Sequence, residues 1–407
     1  MSSDPRVTFD DPELLERFAD LVVGFAANLQ PGQLLSIGSE IGKEAMTRAL
    51  AASGYRHGAK FVDVFYFDLH VKRARLLYAP DDTLDYVPPW YGERILELGR
   101  LHAARIGLSG PAHPGLLSDL DPARVGRDQL PAVRETGKVI NERTTNWTAV
   151  PGPTRPWAEL VHPDLDPDDA WATLCEQIIH VCRLDTDDPQ AAWRERAETL
   201  VSAAGRVTER RFDALHFVGP GTDLTVGLLP TSKFLAARFE TVDGIVHLPN
   251  LPSEEIFSAP DPLRAEGVVR ATKPLVLGGS IIRGLDVEFR DGRAVRIDAD
   301  ENAEVLRSYA ARDENANRLG EVALVDGEGR IGALDTVFFD TLLDENAASH
   351  IALGHAYEMC VDEPDEQRVN ASMIHVDFMI GSPEVRVSGV EADGSETPVL
   401  VEGAWQV

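Results

Sequence analysis

Residues 371–382 read ASMIHVDFMIGS. In this stretch Ile374, Val376, Phe378 and Ile380 alternate with His375, Asp377 and Met379. Side chains on a strand alternate faces with period two. The stretch therefore predicts a strand with one apolar face and one face that carries His375 and Asp377 side by side. An imidazole and a carboxylate so placed can point at one metal ion. Taken alone, the pair is explained more simply by a wet strand face on which both groups meet water.

Around this strand the C-terminal half reads as strand-rich. From about residue 211, alternating runs are separated by Gly and Pro turns. Asp291-Gly292 sits between two such runs, a strong hairpin signal. Helices are expected over residues 302–312 and 340–357. The N-terminal half has a different grammar. Residues 11–29 carry Leu14, Leu15, Phe18, Leu21, Val22 and Phe25 at helical spacing. The run QLLSIG (33–38), a helix over 44–55 and the run FVDVFYF (61–67) follow. Further helices are expected over 91–105 and 121–136, with an extended segment at 144–150. This βαβ spacing predicts a largely parallel sheet covered by helices. Residues 163–207 read as mainly helical. The expected fold is α/β, with an N-terminal α/β domain (1–210) and a C-terminal strand-rich α+β domain (211–407). A nucleotide-binding reading would rest on the N-terminal alternation and on Gly219-Pro220-Gly221. No G-x-G-x-x-G follows a strand, so that reading is rejected.

The length of 407 residues suits two domains, and 43% hydrophobic residues suffice for sizeable cores. The formal charge is −28, from 39 basic and 67 acidic residues. That argues against nucleic acid or an anionic membrane as partner. The first residues have no basic and apolar signal-peptide pattern, and no apolar run is long enough to span a bilayer. Three sparse cysteines fit reduced thiols, so a cytoplasmic location is expected.

Four clusters of likely metal ligands, hard oxygen and imidazole, lie in the C-terminal half: Glu254-Glu255, Glu321, His350, and His375 with Asp377. Each has a simple alternative, such as a helix start, a turn cap or a satisfied core histidine. Together the alternatives weaken, because each group is embedded in apolar sequence. Charges seldom go inside unless paired or bound to metal. No H-E-x-x-H is present, which excludes a zincin.

Several long motifs occur in one order. They are NLQPGQLLSIGS, YRHGAKFVDVFY, NWTAVPGPTRPWAELVHPDL, GTDLTVGL, LPNLPSEEIFSAPDP, RATKPLVLGGSIIRGL, LGEVALV, DENAASHIALGHAYE and IHVDFMIGSPE. Through them the chain resembles the M29 metallo-aminopeptidases, the thermophilic metalloprotease family, over almost its whole length. The resemblance implies a hydrolase that removes N-terminal residues from short peptides with two divalent metal ions. Carried over by position, the ligands fall on Glu255, Glu321, His350, His375 and Asp377, and Tyr357 matches the active-site tyrosine. Glu255 is preferred to Glu254 because it matches the second glutamate of PSEEIF. Glu321 or Glu254 would shuttle the proton to the leaving amine. The oxygen-rich donor set admits zinc, cobalt, manganese or magnesium. A homodimer is also implied. His355 departs from the pattern, since a small residue is expected in ALGxAY, and it adds a candidate ligand or base near Tyr357. If His350 and Tyr357 share a helix, their spacing puts them on one face. The alternative to an enzyme is a catalytically silent metal-binding protein that keeps the fold.

Overall fold

The structure, a computed structural model, describes residues 7–407 except 129 and 132. In the N-terminal part, four strands form a parallel sheet: β1 (Leu34–Glu40), β2 (Phe61–Phe67), β3 (Ala104–Ser109) and β4 (Trp147–Pro151). Their order is β2-β1-β3-β4. Helices Glu44–Arg56, Leu69–Tyr78 and Pro89–Arg100 fall between successive strands, as the βαβ spacing predicts. The first helix, Pro12–Leu21, starts where the Asp11 side chain accepts from the Glu13 N–H, with proline in its first turn. Its apolar stripe buries Leu14, Phe18 and Leu21 against Leu35, Ile37, Leu50 and Trp157.

The C-terminal part is strand-rich, as expected, and among the described residues holds two large antiparallel sheets and two two-stranded ones. The larger has eight strands and includes the hairpin of Asp286–Arg290 with Arg293–Asp298. Asp291 and Gly292 make its turn with φ of 51° and 73°, the left-handed pair such a turn requires. The smaller sheet has five strands, in the order His375–Met379, His350–Gly354, Leu319–Val325, Glu255–Ser258 and Leu235–Ala236. One face of this sheet carries Ile256, Val322, Leu324, Ile351, Leu353, Val376 and Phe378, all buried in the core shared with Leu215, Phe217, Leu224 and Val226 of the larger sheet. Helix Pro189–Arg210 joins the two halves, because Trp193 lies in the N-terminal core and Leu200 to Val207 in the C-terminal one. No helix among the described residues is long and apolar enough to cross a membrane.

Two expected helices are corrected. The helix over 340–357 is only Thr341–Glu345; His350–Gly354 is an inner strand. Pairing on both edges, with Leu319–Val325 and His375–Met379, outweighs the helical propensity of the alanines and leucines around it. His350 and Tyr357 therefore share no helix face. The helix over 121–136 is Pro122–Arg127, with Glu135–Asn141 following; residues 129 and 132 of that expectation lie outside the described residues.

Gly354 ends the His350–Gly354 strand at φ 108°, and a Cβ there would meet the Ile374 carbonyl oxygen at 2.1 Å. Gly354→Ala is expected to lower stability by more than about 1 kcal/mol, since both conformation and space forbid the methyl. A denaturant melt of the two proteins checks this; an unchanged midpoint would refute it.

Candidate metal centre

The face of the five-stranded sheet opposite the core carries the candidate ligands, and strand register brings them together. Asp377 pairs with Ala352, and Ala352 pairs with Glu321. His350 pairs with Ala323, and Ala323 with Phe257, two residues from Glu255. The small side chains of Ala352 and Ala323, both fully buried, form the floor between the polar groups. His350 Nε2 lies 3.0 Å from Glu255 Oε2 and 3.4 Å from Glu321 Oε1. His375 Nε2 lies 3.2 Å from Asp377 Oδ1 and 3.8 Å from Glu321 Oε2. Glu321 thus turns one oxygen toward each imidazole.

Backbone carbonyls orient both rings. His350 Nδ1 donates to the Ala348 carbonyl at 3.1 Å, and His375 Nδ1 to the His355 carbonyl at 2.7 Å. A carbonyl only accepts, so Nδ1 carries the hydrogen and Nε2 presents its lone pair to the cluster when the ring is neutral.

The sequence does not single out Glu345, which joins this cluster from the end of helix Thr341–Glu345. It groups with His350 and Asp377, as Glu255 does with Glu321 and His350, and Glu321 with His375 and Asp377. Within each group the candidate ligand atoms lie within 4.8 Å of one another. Asn250 and Asn346 donate to Glu345 Oε1 at 3.3 and 3.4 Å. In DENAASH this glutamate reads as one more solvated acid, and only its nearness to His350 in sequence hints otherwise.

So many acids at one buried point perturb each other. Burial, then Asp377 and Glu255, push Glu345 well above the usual carboxylate range. Burial also raises Glu321, against the pull of His350. For the histidines burial acts downward, but the acids outweigh it. His350 is raised well above its ordinary value by Glu255, Glu321 and Asp377, and His375 is pushed up to about 10, chiefly by Asp377. Asp377 is lowered despite its burial, because His375 stands beside it.

The residues fit a divalent cation. Glu255 Oε2, His350 Nε2 and Asp377 Oδ1 are buried and make no hydrogen bond. Buried polar atoms of this kind are normally satisfied, and oxygen with imidazole nitrogen is the donor set of hard or borderline divalent ions.

Glu254 is not in the cluster. Adjacent strand residues point to opposite faces, and Glu254 turns away to accept from Arg183 at 2.9 Å and Arg196 at 2.5 Å. Arg196 also holds Asp326 at 3.0 Å, and Asp326 accepts from the Trp405 indole at 2.8 Å. Tyr357 lies in the same cavity of about 190 Å³ as Glu255, Glu321, Glu345, His375 and Asp377, with Trp147, Phe239 and Phe257 on its walls. Its ring stands edge-on to Phe239 and Phe257 and 6.0 Å from His375. Burial, then Glu321, raise its phenol well above the ordinary value, so it stays protonated. The imidazole of His355 faces Gly137 instead, and this residue meets the cluster only through its carbonyl.

The fold and this donor set define a metalloprotein with an oxygen-rich divalent centre next to an aromatic-walled cavity. The family described as Thermophilic metalloprotease (M29) matches residues 11–405, and the chain belongs to it. It is 42% identical to aminopeptidase T of Thermus thermophilus over 402 residues, covering 97% of this chain and 98% of that one. It is 33% identical to aminopeptidase 2 of Geobacillus stearothermophilus over 402 residues, 96% and 97% of the two chains. The solved structure of wild-type AmpT from Thermus thermophilus superposes with a TM-score of 0.86 at 41% identity, covering 97% of this chain and 99% of the other. The chain is thus a metallo-aminopeptidase, a hydrolase whose family implies divalent metal cofactors.

The glutamate pair separates two roles. Glu254→Gln leaves two buried guanidiniums without their shared carboxylate, and a loss of ~3–5 kcal/mol of stability is expected. Glu255→Gln leaves the fold and lowers divalent-ion content. Thermal melts beside metal analysis check both, and the opposite pattern would exchange the assignments.

Proposed function

We propose that the chain hydrolyses the N-terminal peptide bond of short peptides, with two divalent ions held by Glu255, Glu321, His350, His375 and Asp377. The observation that carries this reading is Glu321. It is shared by two ligand groups, one with Glu255 and His350 and the other with His375 and Asp377. When bound, two such ions would polarise the scissile carbonyl and acidify a water bridging them, which would serve as nucleophile.

The chain's own residues supply the remaining steps. The Tyr357 hydroxyl, kept protonated by its surroundings, donates to the oxygen of the tetrahedral intermediate as charge develops there. Glu345 takes the proton from the attacking water and returns it to the leaving amine. Its affinity for a proton is already raised, and Asn250 and Asn346 hold the carboxylate in place. The two shuttles suggested by sequence are occupied otherwise. Glu321 faces both imidazoles, and Glu254 is bound by two arginines. Phe239, Phe257 and Trp147 exclude water from the chain that enters.

Release of a chromogenic amine from a leucyl anilide, with and without added divalent metal, tests this reading. In the same assay Tyr357→Phe is expected to lower kcat by roughly 10²–10³, the usual cost of one oxyanion donor, with KM and metal content little changed. No amine release at any metal loading would leave a metal-binding protein without turnover.

Metal uptake should depend on pH. With His375 pushed up to about 10 and His350 raised, both rings are protonated at neutral pH before metal enters, and each must lose its proton to become a ligand. Apparent affinity is therefore expected to rise with pH, by about tenfold per unit for each proton displaced. The His375 share of that rise should level off above about pH 10. Calorimetric titration with zinc in two buffers of different ionisation enthalpy counts the protons. Uptake that releases none would contradict protonated rings at neutral pH.

A further inference from the structure

A cavity of about 610 Å³ lies against the N-terminal parallel sheet and outside the cluster of acids. Strand register sets a row of side chains across that sheet. Asp63 on β2 pairs with Ser36 on β1, Ser36 with Arg105 on β3, and Arg105 with Trp147 on β4. Register partners in parallel strands project to the same face, and Ser36, Arg105 and Trp147 all line the cavity.

Four cations line it, and three are engaged. Arg94 donates to Ser36 Oγ at 3.1 Å and pairs with Asp63. Lys43 donates to the carbonyls of Leu108 at 3.3 Å, Ser109 at 2.9 Å and Gly110 at 2.5 Å, and stands 3.5 Å from Glu40. Lys72 donates to the carbonyls of Asp128 at 3.1 Å and Leu130 at 2.7 Å. The fourth, Arg105, has no acceptor for its guanidinium among the described residues. Burial, then Arg94, push it down to about 10, with no acid to offset them. A guanidinium that lines a cavity without a counter-ion is open to an anion, and its fork matches a carboxylate.

Trp147 ties this charge to the metal centre, because it lines both cavities. Ala149, two residues on, also lines the large cavity; its N–H donates to the Pro249 carbonyl at 2.7 Å, and Pro249 and Asn250 line the smaller one. Arg105 is one strand spacing beyond the tryptophan, roughly 4.8 Å in backbone separation. An extended peptide advances roughly 3.3 Å per residue, so a chain of a few residues with its amino end among the acids can carry its other end toward Arg105.

We propose that Arg105 receives the free C-terminal carboxylate of a short peptide whose amino end lies at the metal centre. This rests on the aminopeptidase reading and goes beyond it, because it names what the far end of the substrate must be. Long or C-terminally blocked chains would lose this contact.

The test uses the metal-loaded protein and leucyl-glycyl peptides of three to five residues whose first peptide bond is reduced to a methyleneamine, so that none is cleaved. Each is compared with its C-terminal amide by calorimetry. The free acid is expected to bind roughly tenfold to a hundredfold more tightly than the amide at one length or more, the range of a hydrogen-bonded charge contact. In Arg105→Gln the acid-to-amide ratio should fall to about one, and Arg105→Lys, which keeps the charge and loses the fork, should keep part of it. Equal binding of acid and amide by the unaltered protein, or a preference that survives in Arg105→Gln, would overturn the proposal. An amide carrying an internal aspartate that binds as well as the free acid would also overturn it, in favour of a side-chain site. Because nothing is cleaved, the result stands apart from turnover: a preference for the acid without hydrolysis of ordinary peptides would count against the aminopeptidase reading alone.

Discussion

Four carboxylates and two imidazoles converge on one face of the five-stranded sheet, most of them buried and His375 part-exposed. Glu255, Glu321, Glu345 and Asp377 cannot all be ionised there without positive charge close by, since charges removed from water must be paired. Without metal, part of that charge comes from protonated histidines, and part of the repulsion is avoided by the raised pKa values of Glu321 and Glu345. With neutral rings, Glu255 Oε2, His350 Nε2 and Asp377 Oδ1 make no hydrogen bond. A cation meets both needs, so binding metal and stabilising this part of the fold are the same physical event.

The scaffold around the cluster is built for that concentration of charge. Antiparallel pairing aligns the strands so that the acids and imidazoles of different strands face one another across alanines. The opposite face of the same strands is apolar and closes on the eight-stranded sheet. Beneath the Glu255 strand, Glu254 is clamped by Arg183 and Arg196, and Asp326 and Trp405 complete that network. Adjacent glutamates thereby face two environments, one rich in negative charge and one rich in positive. The clamp also fixes the start of the strand from which Glu255 projects.

The N-terminal half contributes more than cover. Its parallel sheet presents Trp147 to the wall of the metal cavity and leaves a large, partly cationic cavity behind it. The α/β part and the strand-rich part meet where the peptide would lie, with aromatic rings at the junction. Trp147 lines both the cavity beside the acids and the one against the parallel sheet.

Much of this was legible in the sequence. Period-two alternation in residues 371–382 showed the strand and its polar face, and Asp291-Gly292 showed the hairpin, because local sterics govern both. Long motifs in order indicated the family and five residues that the fold brings together. Other features depended on contacts far apart in sequence. The run at residues 350–354 became a strand because two partners pair with it, which its own helix-forming residues do not reveal. The motif favoured Glu255 over Glu254, but what holds Glu254 away, Arg183 and Arg196, lies far off in sequence and showed only in the fold. Glu345 joined the cluster because a short helix ends against the sheet, and Arg105 was left unpaired because of the strand order. Sequence by itself determined local conformation and the inventory of ligands. Tertiary structure decided which charges share a space, because electrostatic energy depends on distance and burial, and neither is a local property of the chain.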